Sequence, residues 1–336
     1  MSDTHHALCA GLPRVSLCSH LPTPLEKMQR LSDELGGPSL WIKRDDLTGL
    51  ALGGNKIRNH EFIFGEMLAQ GCDVVITTAG VQSNMCRATA AAAAKLGLGC
   101  VLLLRGTGEE SQQGNLLLDD LLGADVRFIP TQDPYDPRVN IWLDEVKDEL
   151  ERAGKKPYVL HLTGATAALA TCAYVDASQE LVRQFDDVGM NPDFIFVTTG
   201  SGITAAGLAL GLKHLGRKTR VVGVSSAAPS AFLKTRIVDC ATAAALKLNL
   251  ETRVSASDFD VWDTYIGPGY GQSYPEVHQT IRRVAQTEGV LLDPVYTGKC
   301  FTGLLDQIDK GMMTHDQQVV FLHSGGTPNL FVRNET

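Results

Sequence analysis

The chain has little that would suit it to nucleic acid, to a membrane or to secretion. Its 336 residues carry a formal net charge of −8 and contain no block of basic residues, so we expect no nucleic-acid partner. The first 20 residues show no basic start followed by an apolar core, and no apolar stretch is long enough to cross a membrane. We therefore expect a cytoplasmic protein without a membrane partner.

The cysteines also lack the arrangement of a disulfide framework or of a metal site. No two of them form a Cys-x-x-Cys pair, and in a chain of this size scattered cysteines favour reduced thiols in a cytoplasm. We expect no bound metal ion. The eight cysteines are Cys9, Cys18, Cys72, Cys86, Cys100, Cys172, Cys240 and Cys300.

The chain does contain a regular alternation of apolar strands and helical segments. Residues 73–78 predict a strand and 83–96 an alanine-rich helix, and the alternation continues to a strand at 318–322. Residues 26–35 and 59–70 show helical spacing. Continuous apolar strands separated by helices predict parallel sheets covered by helices on both faces. The length favours two such α/β layers, with a cleft between them.

One strand-to-helix turn has the composition of a phosphate-binding loop. It runs from Thr198 to Thr204, directly after the apolar residues 193–197. Amides at the start of a helix have no partner within it, the helix dipole favours an anion there, and glycines allow close approach. The turn lacks both the Gly-Lys-Ser/Thr of a Walker loop and the acidic residue of a dinucleotide site, so a monophosphate fits better. The alternative is a turn whose glycines only join strand and helix.

Lys56 follows Gly53, Gly54 and Asn55, in a segment suited to tight backbone geometry. Together with a phosphate cradle, a lysine can hold pyridoxal phosphate as a Schiff base, provided that its amine is partly unprotonated or shielded from water. The alternative is an exposed lysine at the start of a helix, since most lysines are exposed. The loop at 198–204 favours the first interpretation.

Other turns supply candidate contacts around a cleft. Ser83 and Asn84 stand at the start of the alanine-rich helix, where free donors favour a carboxylate, although capping of the helix by Ser83 is the simpler interpretation. Tyr270 and Tyr296 lie in glycine-rich segments near the carboxyl terminus. Tyrosines in such loops are less easily assigned to a core than tyrosines on a strand, although both can serve packing alone.

Seven short segments form an ordered pattern between residues 21 and 328. They are 21–25 (LPTPL), 42–46 (IKRDD), 53–56 (GGNK), 82–84 (QSN), 199–202 (TGSG), 294–299 (PVYTGK) and 324–326 (SGG). In this order they resemble the pyridoxal-phosphate enzymes of fold type II that include D-cysteine desulfhydrase, 1-aminocyclopropane-1-carboxylate deaminase and L-cysteate sulfo-lyase.

The resemblance implies a two-domain α/β fold like that of the tryptophan synthase β subunit. Parallel sheets flanked by helices would form both domains, with pyridoxal 5'-phosphate as the cofactor in the cleft between them. The large cofactor-binding domain would comprise residues 1–56 and 168–336, and the small domain residues 57–167. The resemblance also implies a homodimer.

The resemblance implies roles for the candidate residues at the cofactor. Lys56 would bond the cofactor covalently and move protons at the substrate α-carbon. Asn84 would meet the phenolic oxygen of the cofactor, and Ser324 would lie near its pyridine nitrogen. The residues that would hold the phosphate are Thr199, Gly200, Ser201, Gly202 and Thr204.

At the substrate, the resemblance implies that Ser83 holds the carboxylate or assists proton transfer. It places Tyr270 and Tyr296 against the substrate as further catalytic residues, with Asn84, Met85 and Thr297 as substrate contacts. Thr297 stands where the deaminases carry glutamate, as in the desulfhydrase-like branch. Met85 stands where the family usually has histidine or glutamine, and 163–167 replaces an expected Gly-Gly-Ser-Asn run. These departures affect the substrate rather than the cofactor.

A neutral hydroxyl at Ser324 would not stabilise a protonated pyridine, so negative charge would leave with a β-substituent instead of persisting in the ring. We therefore expect a carbon–sulfur lyase that acts on a small cysteine-like amino acid, such as D-cysteine or cysteate. The products would be a 2-oxo acid, ammonia and the leaving group. The alternatives are a cyclopropane deaminase or an amino-acid racemase that uses the same lysine, and a non-catalytic sensor that binds the cofactor.

Overall fold

A computed structural model of the protein describes residues 8–133, 136–161 and 163–332. Within these ranges the strands are β1 (Leu25–Lys27), β2 (Ser39–Lys43), β3 (Val74–Gly80), β4 (Gly99–Arg105), β5 (Asp125–Ile129), β6 (Pro157–Val159), β7 (Phe194–Thr199), β8 (Arg220–Ser225), β9 (Phe259–Trp262) and β10 (Gln318–Leu322). The α-helices are α1 (Gln29–Leu35), α2 (Asn55–Ala69), α3 (Asn84–Leu96), α4 (Gly114–Leu121), α5 (Arg138–Arg152), α6 (Gly164–Asp187), α7 (Ile203–His214), α8 (Ser230–Lys247), α9 (Pro275–Glu288) and α10 (Thr297–Asp309). Short 3-10 helices span Asp45–Leu47, Leu50–Leu52 and Thr327–Phe331.

The strands form two sheets. The larger has the order β1-β2-β10-β7-β8-β9 and is parallel apart from β1, whose Leu25 lies opposite Lys43 in an antiparallel pair. The smaller has the order β5-β4-β3-β6 and is parallel throughout. Parallel neighbours need crossover connections, and the helices that supply them cover the sheet faces. The predicted α/β fold with helix-flanked parallel sheets is confirmed.

Close packing of α7 against α6 positions the phosphate-loop candidate. A Cβ at Gly207 would lie 2.4 Å from the Cβ of Tyr174, and one at Gly211 would lie 2.5 Å from Ser178 Oγ. These two glycines, four residues apart on one face of α7, therefore let the two helices approach at van der Waals distance. The start of α7 is held in this way at the carboxyl end of β7, whose Phe196 is fully buried.

Two predicted helices have different bounds in the structure. The helix predicted at 26–35 is wrong at its start, because β1 occupies Leu25–Lys27 and α1 begins only at Gln29. Pairing of β1 with β2 decides this, since tertiary pairing overrides local helical spacing. The helix predicted at 59–70 begins earlier, at Asn55, so that Lys56 lies in its first turn.

The two sheets draw on separate parts of the chain. The strands of the smaller sheet lie between residues 74 and 159, and those of the larger sheet lie at 25–43 and 194–322. This distribution supports the proposed domains of 57–167 and of 1–56 with 168–336, and the division stays a proposal. Residues 1–7 and 333–336 of the large domain, and Pro134, Tyr135 and Leu162 of the small one, lie outside the described residues.

Candidate active site

Lys56 is presented by a loop with an unusual backbone. The four preceding residues with positive φ are Ala51 (42°), Leu52 (67°), Gly53 (64°) and Gly54 (109°). A Cβ at Gly53 would lie 2.0 Å from the carbonyl oxygen of Asp46, so only glycine fits there. The loop then leads directly into α2, which begins one residue before Lys56.

The guanidinium of Arg87 holds this loop. Arg87 lies on α3, is 1% exposed, and donates hydrogen bonds to the carbonyls of Ala51 and, at 3.1 Å, of Gly53. A charged donor to carbonyl oxygens in a buried site gives a strong, directional contact. Arg87 thus ties the helix that begins after Ser83 to the loop that sets the position of Lys56.

The amine of Lys56 lacks a partner and has a lowered pKa. Its Nζ forms no hydrogen bond or ion pair with any residue that the structure describes, and the side chain keeps partial access to solvent. Surrounding protein desolvates the ammonium and lowers the pKa of Lys56 to about 8. Burial also lowers the pKa of Lys299 to about 8, but its Nζ donates to the carbonyls of Ile266 (2.7 Å) and Gly269 (2.8 Å). Of these two lysines, only Lys56 is available to react.

We expect Lys56 of the cofactor-free protein to react with small aldehydes at neutral pH. With a pKa of about 8, about a tenth of the amine is unprotonated at pH 7, compared with fewer than about one in a thousand for an ordinary exposed lysine. Labelling by limiting formaldehyde and cyanoborohydride should rise about tenfold per pH unit up to about pH 8 and then level off. Peptide mass spectrometry measures the labelled fraction of Lys56, with the exposed Lys95 as the reference. Equal labelling of the two lysines at pH 7 would contradict the lowered pKa.

A recess adjoins Lys56 and contains one further predicted residue. Met85, predicted as a substrate contact, is 5% exposed and lines this recess with Lys56. The recess is also lined by Asn59, His60, Ile63, Leu160, His161, Thr166, Ala170 and Ile203. Burial lowers the pKa of His60 to about 4, so this ring is neutral at pH 7 and adds no charge beside the lysine.

The turn predicted to bind phosphate joins β7 to the start of α7. Gly202 is the residue before this helix and has φ +82°. The first amides of α7 have no acceptor within the helix and carry its positive dipole end. Thr204 Oγ1 accepts a 3.0 Å hydrogen bond from Nδ2 of Asn55, the residue before Lys56. The cradle and the lysine are thus directly linked.

Buried polar groups around the cradle fit a phosphate. Ser226 Oγ is buried and has no hydrogen-bond partner among the described residues, and a Cβ at Gly200 would meet it at 3.5 Å. A buried hydroxyl without an acceptor, beside open space at a glycine, suits the oxygen of an anionic ligand. Sequence reasoning missed Ser226. Its position just after β8, beside the strand that ends in the cradle, was the available signal.

The turn between β3 and α3 is capped as the simpler interpretation predicted. Ser83 Oγ accepts hydrogen bonds from the amides of Met85 (3.2 Å) and Cys86 (3.3 Å) and so caps α3. Asn84 Oδ1 accepts from Asn115 Nδ2 at 3.0 Å. Asn115 on α4 also donates to the carbonyl of Gln82 at 2.9 Å, so it supports the turn, and no sequence motif indicated it.

The side chains of Tyr270 and Tyr296 contact each other near the end of β3, where this turn begins. The hydroxyl oxygens of Tyr270 and Tyr296 are 2.5 Å apart, and their rings are 6.0 Å apart at 66°. A Cβ at Gly80, the last residue of β3, would lie 3.9 Å from the ring of Tyr270. Burial raises the pKa of both phenols, so both keep their protons at neutral pH. The 46% exposure of Tyr270 places it at the open side of the cleft.

Ser324 and Thr297 have different surroundings. The carbonyl of Ser324 accepts a 3.0 Å hydrogen bond from the amide of Asn55, so Ser324 adjoins the lysine loop, and its hydroxyl bonds no described residue. Thr297 is fully buried at the start of α10, where its hydroxyl donates to Asp293 Oδ1 at 2.7 Å and accepts from the Asp293 amide at 2.8 Å. The predicted roles of both residues stay predictions.

The fold and this site define an enzyme class that holds a phosphorylated aldehyde cofactor through a lysine. A family model described as "Pyridoxal-phosphate dependent enzyme" matches residues 19–325, and the chain belongs to this family. The predicted family, the enzymatic nature and the cofactor, pyridoxal phosphate, are therefore confirmed. The residues that would hold the cofactor are Lys56, Asn84, Thr204 and Ser324, with the 199–202 turn.

Relatives match along almost the whole chain. A D-cysteine desulfhydrase of Salmonella typhi is 40% identical over 332 residues, which is 97% of each chain. A putative 1-aminocyclopropane-1-carboxylate deaminase of Pyrococcus furiosus is 38% identical and aligns over 97% of this chain and 95% of its own.

Solved structures have the same fold. The crystal structure of an ACC deaminase homologue has a TM-score of 0.88 and 38% identity, covering 98% of this chain and 97% of its own. The apo structure of Escherichia coli diaminopropionate ammonia lyase has a TM-score of 0.66 at 16% identity, with 94% and 85% covered, and shows the likeness of fold alone.

Proposed function

We propose that the protein is a lyase that removes the β-substituent of a small, cysteine-like amino acid. The products are a 2-oxo acid, ammonia and the leaving group. The observation that carries the proposal is that Lys56, whose amine has a lowered pKa and no partner among the described residues, lines a recess next to the turn proposed to bind phosphate. The D-cysteine desulfhydrases among the relatives support a sulfur leaving group.

Lys56 and the tyrosine pair are suited to move the protons that elimination requires. Pyridoxal phosphate, when bound, withdraws electrons from the substrate amino group and so acidifies the α-carbon. Lys56, with a pKa of about 8, takes the α-proton at nearly neutral pH. The phenols of Tyr270 and Tyr296 retain their protons because burial raises their pKa, so the pair can donate one to the leaving group. The start of α3 favours the substrate carboxylate.

The environment of Ser324 and Thr297 favours elimination over the deaminase reaction. Ser324 offers a neutral hydroxyl to the pyridine nitrogen, so the ring is not held in its protonated form. Thr297 is fully buried and bonded to Asp293, whose pKa is raised by burial. A second carboxylate in place of Thr297 would meet like charge there. The relative named as a putative deaminase keeps that reaction as the second candidate.

A substrate screen tests the proposal. We expect the purified protein with pyridoxal phosphate to form pyruvate and ammonia from D- or L-cysteine, cysteate or 3-chloroalanine, because Lys56 and the tyrosine pair support β-elimination. Formation of 2-oxobutyrate from 1-aminocyclopropane-1-carboxylate alone would show a deaminase. Inversion of an amino acid without any 2-oxo acid would show a racemase. Cofactor binding without any turnover would show a sensor.

We also propose a cytoplasmic homodimer. All eight cysteines are free in the structure, which supports a reducing compartment. The homodimer rests on the family resemblance. In the part of the chain that the structure describes, no helix is long and apolar enough to traverse a bilayer.

A further inference from the structure

Arg105 is a guanidinium without a partner at the edge of the candidate active site. It is the last residue of β4, is half-buried, and forms no hydrogen bond or ion pair with any residue among 8–133, 136–161 and 163–332. The carboxylate of nearby Glu110 accepts instead from the amides of Thr107 (2.7 Å) and Gly108 (2.8 Å). By contrast, the buried Arg58 and Arg87 have carboxylate or carbonyl acceptors.

Arg105 lies close to Tyr270, which is predicted to contact the substrate. Its Nη2 lies 3.8 Å from the place of a Cβ at Gly80, and the ring of Tyr270 lies 3.9 Å from the same point. Gly80 and Arg105 are paired in register at the carboxyl ends of β3 and β4. Burial raises the pKa of Tyr270, and the positive charge of Arg105 acts against that shift. The absence of a side chain at Gly80 leaves space between them.

An unpaired guanidinium in a partly buried cleft is costly unless a ligand supplies the anion. The planar fork of arginine matches the oxygens of a carboxylate or sulfonate. The positive dipole end of α3 already offers a binding place for the α-carboxylate of an amino acid. Arg105 is therefore left for a second anionic group.

We propose that Arg105 binds an anionic β-substituent of the substrate and thereby makes the enzyme favour acidic, cysteate-like amino acids over cysteine. This assignment rests on the proposed lyase function. In that reaction the α-proton goes to Lys56, and the Cβ–S bond breaks with its electron pair leaving on the sulfur. With cysteate the leaving group is sulfite, and water hydrolyses the remaining 2-aminoacrylate to pyruvate and ammonium.

The first test compares two substrates in wild-type enzyme and in the variants Arg105→Ala and Arg105→Lys. Cysteate carries an anionic β-substituent and 3-chloroalanine a neutral one. Arg105→Ala is expected to lower kcat/KM for cysteate about 100-fold more than for 3-chloroalanine, and Arg105→Lys to retain part of the preference. Arg138→Ala, at a surface arginine paired with Asp136, is the control and changes neither value. Equal losses for both substrates, or no loss, would overturn the assignment.

The second test measures binding without turnover. 3-Sulfopropanoate has both anionic groups but no amine, and propanoate lacks the sulfonate. Calorimetry on the holoenzyme should show tighter binding of 3-sulfopropanoate to wild type, with the difference lost in Arg105→Ala. If no amino acid is turned over but this difference persists, the lyase proposal fails and the Arg105 site stands. If 3-chloroalanine is turned over and wild type binds both acids alike, the Arg105 site fails and the lyase stands.

Discussion

Replacing Lys56 with alanine is expected to lower lyase turnover by about 10⁴-fold or more, because a covalent and a proton-transfer function are lost together. Lys56 is the lysine whose amine faces the recess without a partner, and burial lowers its pKa to about 8. The other lysine with a pKa lowered to about 8, Lys299, donates to two carbonyls and is not free to replace it. Formation of 2-oxo acid under saturating substrate measures the loss.

Chemical trapping of the cofactor on Lys56 complements the measurement of turnover. Borohydride reduction of the holoenzyme should leave the cofactor mass on the peptide that contains Lys56, and this mass should be absent in Lys56→Ala. The matched control is Lys95→Ala, at an exposed lysine in the last turn of α3, which should keep the wild-type rate and the labelled peptide. Near-normal turnover by Lys56→Ala would show that another amine performs the chemistry, and Lys299 would be examined first.

Replacing Arg58 with methionine is expected to lower the free energy of unfolding by about 3–5 kcal/mol, because it leaves the fully buried Asp45 without its ion-pair partner and Glu180 with Lys43 alone. Arg58, 3% exposed, donates to both oxygens of the fully buried Asp45 at 3.0 Å and to both oxygens of Glu180 at 2.8 and 3.0 Å. Tyr174 and Thr23 also donate to Asp45, at 2.6 and 2.7 Å. Denaturant unfolding followed by circular dichroism measures the change.

The pH dependence of the free energy of unfolding distinguishes loss of the ion pairs of Arg58 with Asp45 and Glu180 from loss of packing. Burial alone would raise the pKa of Asp45 and of Glu180, but Arg58 lowers both below their usual values. This stabilisation is therefore complete above about pH 4.5, the ordinary pKa of glutamate, and is lost as the pH falls through the lowered values. In Arg58→Met, burial raises the pKa of Asp45, so protonation of this carboxylate no longer opposes folding and the loss of stability relative to wild type should shrink as the pH falls below about 4.5.

Arg127→Met is the matched control for the Arg58 ion pairs. Arg127 also pairs with two carboxylates, Asp125 at 2.7 Å and Glu149 at 2.8 Å, but the side chains of both acids are about half exposed. We therefore expect a loss of at most about 1 kcal/mol. Equal losses in the two arginine variants would contradict the importance of the buried ion pairs.

The parts of the site that were predictable are those made by neighbours in the sequence. The turn at 198–204 joins a buried strand to a helix, so strand, glycines and hydroxyls all lie within one short segment. The segment at Lys56 was also visible, although its helix starts at Asn55 and not at Asn59. Local spacing failed at Leu25–Lys27, because pairing with β2 decides the conformation of those residues.

The residues that were missed act across the fold. Arg87 holds the lysine loop from a helix on the other side of the site, and Asn115 supports the turn at Asn84 from α4. Ser226 lies directly after β8 and Arg105 ends β4, and each of these strands pairs with a strand that was recognised. None of the four lies in a motif, because the contacts of each are made with residues remote in sequence.

The sequence by itself determined the family, the cofactor and the α/β alternation, because local patterns encode strands, helices and the loops that bind phosphate. Only the tertiary structure showed that burial lowers the pKa of Lys56 and that Arg105 has no partner among the described residues. Desolvation and ion pairing depend on every atom that surrounds a charge, and for Lys56 and Arg105 those atoms come from several separate segments of the chain.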